Sequence, residues 1–175
     1  MLIDLHGVLQ DDGKVIQMDV DTELTSFESI SGVFPIVSKD PVSLRIQNMG
    51  DRELHISGMM ELTLCVPCDR CLEDVRVPFA LQFERDVDMK QTEEERQEIL
   101  DEMSFIEGYH LDVDQLICSE ILVSWPSKVL CREDCKGLCN TCGTNLNHGE
   151  CSCTPTDLDP RMAQIQQIFN KFKEV

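Results

Sequence analysis

Ten cysteines in 175 residues, nine of them gathered into two groups, constrain this chain more than any other feature. Cys65, Cys68 and Cys71 form one group. Cys131, Cys135, Cys139, Cys142, Cys151 and Cys153 form the other, and Cys118 stands alone. Cysteines clustered in this way are disulfide partners or metal ligands, and the compartment decides between the two. The opening residues, MLIDLHGVLQDDGK, carry neither the basic n-region nor the apolar h-region of a secretory signal. No apolar run approaches the ~20 residues of a membrane helix. The expectation is a cytoplasmic protein, off the membrane, whose cysteines stay reduced and bind metal.

Zinc takes four ligands at tetrahedral angles, and a Cys-x-x-Cys turn supplies two of them from one tight loop. Cys68-Asp69-Arg70-Cys71 is such a turn, and Cys139-Asn140-Thr141-Cys142 is another, followed by Gly143. With Cys131, Cys135, Cys151 and Cys153 they make eight ligands, enough for two four-cysteine sites. The preferred pairing places Cys68 and Cys71 with Cys131 and Cys135, and Cys139 and Cys142 with Cys151 and Cys153. One alternative is a single site within the second group, leaving Cys68 and Cys71 free. In another, His148 replaces Cys151 or Cys153. Cys65 reads as a half-exposed strand thiol, with membership of the first site as its alternative, and Cys118 as a small buried hydrophobe. Closed all-cysteine sites leave no open coordination position, which is the structural use of zinc.

Hydrophobic periodicity supplies the scaffold. Val42, Leu44 and Ile46 alternate with polar residues, a Gly50-Asp51 turn follows, and Met60, Leu62, Leu64 and Val66 alternate again. After the first cysteine group Val75, Val77, Phe79, Leu81 and Phe83 do the same. This is an antiparallel pattern with one buried face, and it puts Pro67 to Asp74 at a hairpin tip. Thr92 and Glu95 make a capping box for a short acidic helix carrying Ile99, Leu100 and Met103. Asp112 or Asp114 starts a second helix with Leu116, Ile117, Ile121 and Leu122, stopped by Pro126. Residues 128–156 show no period, and metal ligation is what would order so long a stretch. Asp159-Pro160 opens a last helix lined by Met162, Ile165, Ile168, Phe169 and Phe172. The fold class expected is α+β: an antiparallel β-rich part over 1–126, a cysteine-rich zinc segment over 127–156, and a C-terminal amphipathic helix over 157–175.

Charge bounds the partners. Fifteen basic against 33 acidic residues give −18, and Glu84 to Asp114 alone contributes −9. Two zinc ions on eight thiolates would deepen the total to −22. A protein that grips nucleic acid through phosphates shows a basic face, and none is present in bulk. Lys128, Arg132 and Lys136, spaced by four, are the one candidate patch for direct RNA contact. Glu93, Glu94, Glu95 and Glu98 are the candidate dock for a basic protein.

Catalytic motifs are missing. Pro67-Cys68-Asp69-Arg70-Cys71 fits half of a zinc deaminase signature, but no His-x-Glu precedes it. There is no His-Glu-x-x-His and no phosphate-binding glycine loop. The remaining enzymatic reading is a thiol redox or metal-transfer enzyme acting through Cys68 and Cys71, with Arg70 favouring a thiolate.

Cys68-Asp69-Arg70-Cys71-Leu72 between two strands, a buried helix ending near Pro126, the run CREDCKGLCNTCGTNLNHGECSC and Asp159-Pro160-Arg161 together resemble the YceD family of large ribosomal RNA subunit accumulation proteins. The resemblance implies a non-enzymatic ribosome biogenesis factor, needed for accumulation of 23S ribosomal RNA. It implies a large-subunit ribosomal protein or a pre-ribosomal particle as partner, and no small-molecule substrate. Genes of this family often lie beside that of a small, basic large-subunit ribosomal protein, which an acidic partner would suit. Cys68, Arg70 and Cys71 match the family motif directly. Cys139, Cys142, Asn145, Leu146, Asn147, Cys151 and Cys153 match members with the longer second motif. Asn140 stands where a proline is usual. Arg70 is thereby a candidate partner contact as well as a charge offset to the site, and one or two structural Zn2+ ions are the implied cofactor.

Overall fold

The computed structural model describes residues 1–90 and 105–153. The expected helices at Thr92 and after Asp159-Pro160, with Glu93, Glu94, Glu95 and Glu98, lie outside the described residues. Two compact units are present: Met1–Val66 with Asp74–Val129, and Pro67–Glu73 with the chain from Leu130 on. The first cysteine turn thus groups with the second cysteine cluster.

The first unit is antiparallel β-structure with two helices among the described residues. Strands β1 (Leu2–Asp4), β2 (Val15–Val20), β3 (Ser26–Ser29), β4 (Gly32–Lys39), β5 (Val42–Gly50), β6 (Glu53–Pro67) and β7 (Asp74–Asp88) are joined by the one-turn helix α1 (His6–Leu9) after β1. Two short strands, β8 (Ile106–Glu107) and β9 (His110–Asp112), precede α2 (Val113–Val123). The larger sheet runs β2-β5-β6-β4-β3, with β7 also on β6, and the smaller runs β1-β9-β8. Strand β6 is long enough to take β5 along its first half and β4 along its second.

The alternation read from sequence is the alternation of burial. Val42, Leu44, Ile46, Leu54, Ile56 and Leu64 are buried to 1% exposure or less, while intervening side chains face outward. Asp51 and Arg52, both with positive φ (53° and 63°), form the two-residue turn closing the β5–β6 hairpin. That left-handed pair matches the twist of the flanking strands. Gly58 is required by packing: a Cβ there would stand 2.6 Å from the Phe83 ring and 2.9 Å from the Ser43 carbonyl oxygen. Asn48 is a polar residue in the core at 1% exposure. Its amide donates to the carbonyls of Val8 (3.1 Å) and Asp11 (3.0 Å) and accepts from the Gly50 N–H (2.9 Å), so its burial is fully compensated.

Helix α2 begins where expected. Asp112 is its N-cap, accepting from the N–H groups of Asp114 and Gln115. Leu116, Ile117 and Ile121 are fully buried, but Leu122 is 51% exposed, correcting its placement on the apolar face. Glu120 takes that place, 5% exposed and paired to Arg85 of β7 at 2.6 Å. After the helix Trp125 packs against Phe27, Phe34 and Phe79, with ring centroids 5.0–5.8 Å apart. Among the described residues no helix is long and apolar enough to cross a membrane.

Candidate metal centres

The second unit is organised by backbone turns around sulfur. In the first turn the Cys68 N–H donates to the Glu73 carbonyl (2.8 Å) and the Leu72 N–H returns to the Cys68 carbonyl (3.0 Å). The second turn repeats both bonds, from Cys139 to Thr144 (2.8 Å) and from Gly143 to Cys139 (2.8 Å). Each pattern needs a left-handed residue one place after the second cysteine. Gly143 supplies it at φ 74° and Leu72 at φ 63°. Cys131 and Cys135 come from a third bend, in which the Cys135 N–H donates to the Arg132 carbonyl. Gly137 follows at φ 78°, and a Cβ on it would press to 3.0 Å on the Arg70 carbonyl oxygen. That close approach lets the Leu138 N–H reach the same oxygen at 3.0 Å.

These turns gather the sulfurs into two groups, Cys68, Cys71, Cys131, Cys135 and Cys139, Cys142, Cys151, Cys153, each with its ligand atoms within 4.8 Å of one another. In the first, Cys68 lies 3.8 Å from Cys135, and Cys71 lies 3.5 Å from Cys131. A tetrahedron of sulfurs about zinc, with bonds of about 2.3 Å, has edges of about 3.8 Å, so the residues present fit such an ion. A group of four thiols is also what a soft cation selects. The first group is the more buried, with Cys68 at 0% and Cys135 at 2% exposure, while Cys142 of the second is exposed.

The thiols are not alike. Burial pushes the Cys68 thiol up, but backbone N–H groups of Arg70, Cys131 and Cys71 outweigh it and bring it down to about 6. Burial, followed by the neighbouring thiols Cys131, Cys68 and Cys135, drives Cys71 the other way. In the second group the N–H groups of Cys142 and Thr141 bring Cys139 to about 6, and Cys142 pushes Cys153 up to about 12. Four sulfurs this close cannot all ionise unaided, and a divalent cation removes that conflict.

A second layer of side chains braces the first group. Arg70 Nη1 donates to the Cys135 carbonyl at 2.7 Å, joining two sulfur-bearing loops. Asn147 Nδ2 lies 3.3 Å from Cys135 Sγ. Glu73 accepts from the Cys71 thiol at 3.5 Å and from Asn145 Nδ2 at 3.2 Å, and pairs with His148. His148 therefore sits on Glu73 beside the first group, and the alternative that placed it among the second group's ligands is corrected. Glu73 and the contacts of Asn147 were not read from sequence as site features. The signal for Glu73 was its place two residues after Cys71, inside the turn.

Of the proposed basic patch, Arg132 is engaged by Asp134 (3.5 Å) and by Asn147 Oδ1 (2.8 Å), and Lys136 gives its backbone N–H to the same oxygen. Lys128 belongs to the other compact unit. Cys65 and Cys118 are half-buried and stand outside both groups. Burial, then Asp114 and Asp112, raises the Cys118 thiol.

Antiparallel β-structure carrying two four-cysteine groups, either able to hold a metal ion, is thus the class to which fold and site assign this chain. Residues 56–169 match the model of a family described as large ribosomal RNA subunit accumulation protein YceD, and the chain belongs to that family. An uncharacterized protein of Mycobacterium bovis is 29% identical over 130 residues, covering 73% of this chain and 61% of its own length. Two uncharacterized proteins of Mycobacterium tuberculosis strains match with the same identity and coverage. The chain spans about three-fifths of the length of these relatives. No solved structure matches it.

Proposed function

We propose that this chain is a zinc-stabilised, non-enzymatic factor that supports accumulation of large-subunit ribosomal RNA by binding a basic large-subunit ribosomal protein or a precursor particle. Membership of a family named for that accumulation is the observation that carries the reading. The donor sets agree with it: a closed four-sulfur site offers no position for a substrate, so its ions brace the fold. The rival reading, thiol redox or metal-transfer catalysis through Cys68 and Cys71, draws support from the low-lying Cys68 thiol. Against it, Cys68 is fully buried and Cys71 is 4% exposed, out of reach of a partner thiol or disulfide.

An excess of 18 negative charges makes a basic protein the favoured first contact over bare RNA. Affinity capture from growing cells, with and without nuclease, tests the reading. Recovery of a basic large-subunit protein, free or within a particle, supports it. Recovery of RNA alone, lost on nuclease treatment, overturns the protein-partner assignment. Neutralising Glu93, Glu94, Glu95 and Glu98 together should weaken protein capture, and replacing Lys128, Arg132 and Lys136 should not. The reverse pattern would assign RNA as the partner.

A further inference from the structure

The two sulfur groups share a length of chain. Cys142 and Cys151 of the second are joined by residues 143–150, and four consecutive residues of that connection lie on the surroundings of the first. Asn145 Nδ2 and His148 Nε2 meet Glu73, whose other oxygen accepts from the Cys71 thiol. The Leu146 N–H donates to the Gly137 carbonyl at 2.9 Å. Asn147 makes the contact nearest the ligands. Its Oδ1 accepts from the Lys136 N–H and from Arg132 Nη2, both at 2.8 Å. Two donors on one side fix the amide's orientation, so its NH2 end meets the Cys135 sulfur at 3.3 Å.

A donor aimed at a ligating sulfur stabilises the thiolate and holds the ligand in place. Here the donor belongs to a connection whose two ends are ligands of the other group. An ion gripping Cys142 and Cys151 fixes both ends of the connection and lowers the entropy lost in laying Asn147 against Cys135. By linkage the effect is mutual: an ion in the first group favours the conformation in which the second is assembled.

We propose that the two four-cysteine centres load cooperatively, and that Asn147 is the positioning residue through which occupancy of the second centre strengthens the first. The inference rests on the reading that both groups hold a thiophilic divalent cation. Arg70 limits the coupling, because its bond to the Cys135 carbonyl holds the first centre's loops whether or not the second is filled.

The test uses the full chain, reduced and metal-free, titrated with Zn2+ alone against a competing chelator, with bound ions counted by native mass spectrometry. Cys151→Ser with Cys153→Ser leaves only the first centre, and Cys68→Ser with Cys71→Ser leaves only the second. The coupling factor is the overall two-ion constant of the intact chain divided by the product of the two single-centre constants. A factor of about 10 or more is expected. In Asn147→Ala, which keeps all eight ligands, the factor, taken with both double variants remade in that background, should fall to near one while two ions still bind at saturation. Trp125 emission verifies that the β-structure of each variant is folded. A variant that binds no Zn2+ in its remaining centre while that emission is native also supports coupling. A factor near one in the intact chain, or one that Asn147→Ala leaves unchanged, overturns the proposal and spares the metal reading. An intact chain that binds no Zn2+ overturns both.

Discussion

Leu72 and Gly143 occupy the same position in two cysteine turns with the same pair of backbone hydrogen bonds, and both have positive φ, 63° and 74°. Glycine accepts that conformation freely, whereas a side chain at this φ costs about 1 kcal/mol. Leu72 bears the cost with its side chain 65% exposed, so packing gives little in return. Leu72→Gly should leave the thermal midpoint and Zn2+ retention of the reduced chain unchanged or slightly raised. Leu72→Val, β-branched at the same φ, should lower both. Measured side by side, a drop for glycine equal to that for valine would mean the leucine side chain, not the backbone, holds the turn.

The Arg70 side chain ties the first turn to the Cys135 loop by a hydrogen bond of 2.7 Å to the Cys135 carbonyl, beside the backbone bond from the Leu138 N–H to the Arg70 carbonyl. Arg70→Ala should still bind two ions at saturation, because every ligand remains. It should release the first ion to a chelator about 10-fold more readily, the usual scale for losing an outer contact of a metal site. Release kinetics followed by a chromogenic chelator measure this. Unchanged release together with lost partner capture would assign Arg70 to a binding surface.

Short-range features of this molecule were legible in its sequence. The alternation in Val42, Leu44 and Ile46, the hairpin tip at residues 67–74 and the Asp112 cap each depend on neighbours a few residues away. The eight cysteines gathered by the structure are those their spacing singled out. Apart from the grouping of Cys68 and Cys71 with Cys131 and Cys135, long-range relations were not legible. Glu120 reads as a solvated helix acid until β7 brings Arg85 to it, and its place beside the buried Leu116, Ile117 and Ile121 was the only hint. Strand β1 pairs with β9 across more than a hundred residues, and three residues carry too little periodicity to be recognised. The bracing role of Asn147 rests on the folded course of two loops, which no local spacing encodes.

The Arg85–Glu120 pair yields a stability prediction with opposite outcomes for its two members. Glu120 is 5% exposed and Arg85's side chain is one-third exposed, so removing the arginine leaves a buried carboxylate short of its cation. Buried pairs broken in this way cost about 3–5 kcal/mol, and solvent access at the arginine should reduce that to about 2 kcal/mol for Arg85→Ala. Glu120→Leu removes the charge that needs a partner and extends the apolar face, so its cost should stay below about 1 kcal/mol. Urea unfolding followed by Trp125 emission measures both. Equal losses would show that loss of the Arg85 cation beside the buried carboxylate is not what sets the cost.

Removal of the proposed metal should act differently on the two compact units. Among the described residues, none of Pro67–Glu73 or of the chain from Leu130 on belongs to the apolar core, so ligand bonds to the proposed ions would be their principal source of order. The β-structure has its own core, in which Trp125, the only tryptophan, packs on Phe27, Phe34 and Phe79. A strong chelator should therefore abolish amide-exchange protection at residues 131–153 and leave Trp125 emission nearly unchanged. Acid should act in the same direction. Cys71 and Cys153, the latter at about 12, must lose protons when an ion binds, so apparent Zn2+ affinity falls as pH is lowered. Between pH 8 and pH 6 the loss should reach about 100-fold for each proton that an ion displaces across that range. Protection that survives chelation at residues 131–153 would mean that the hydrogen-bonded turns hold that unit without metal.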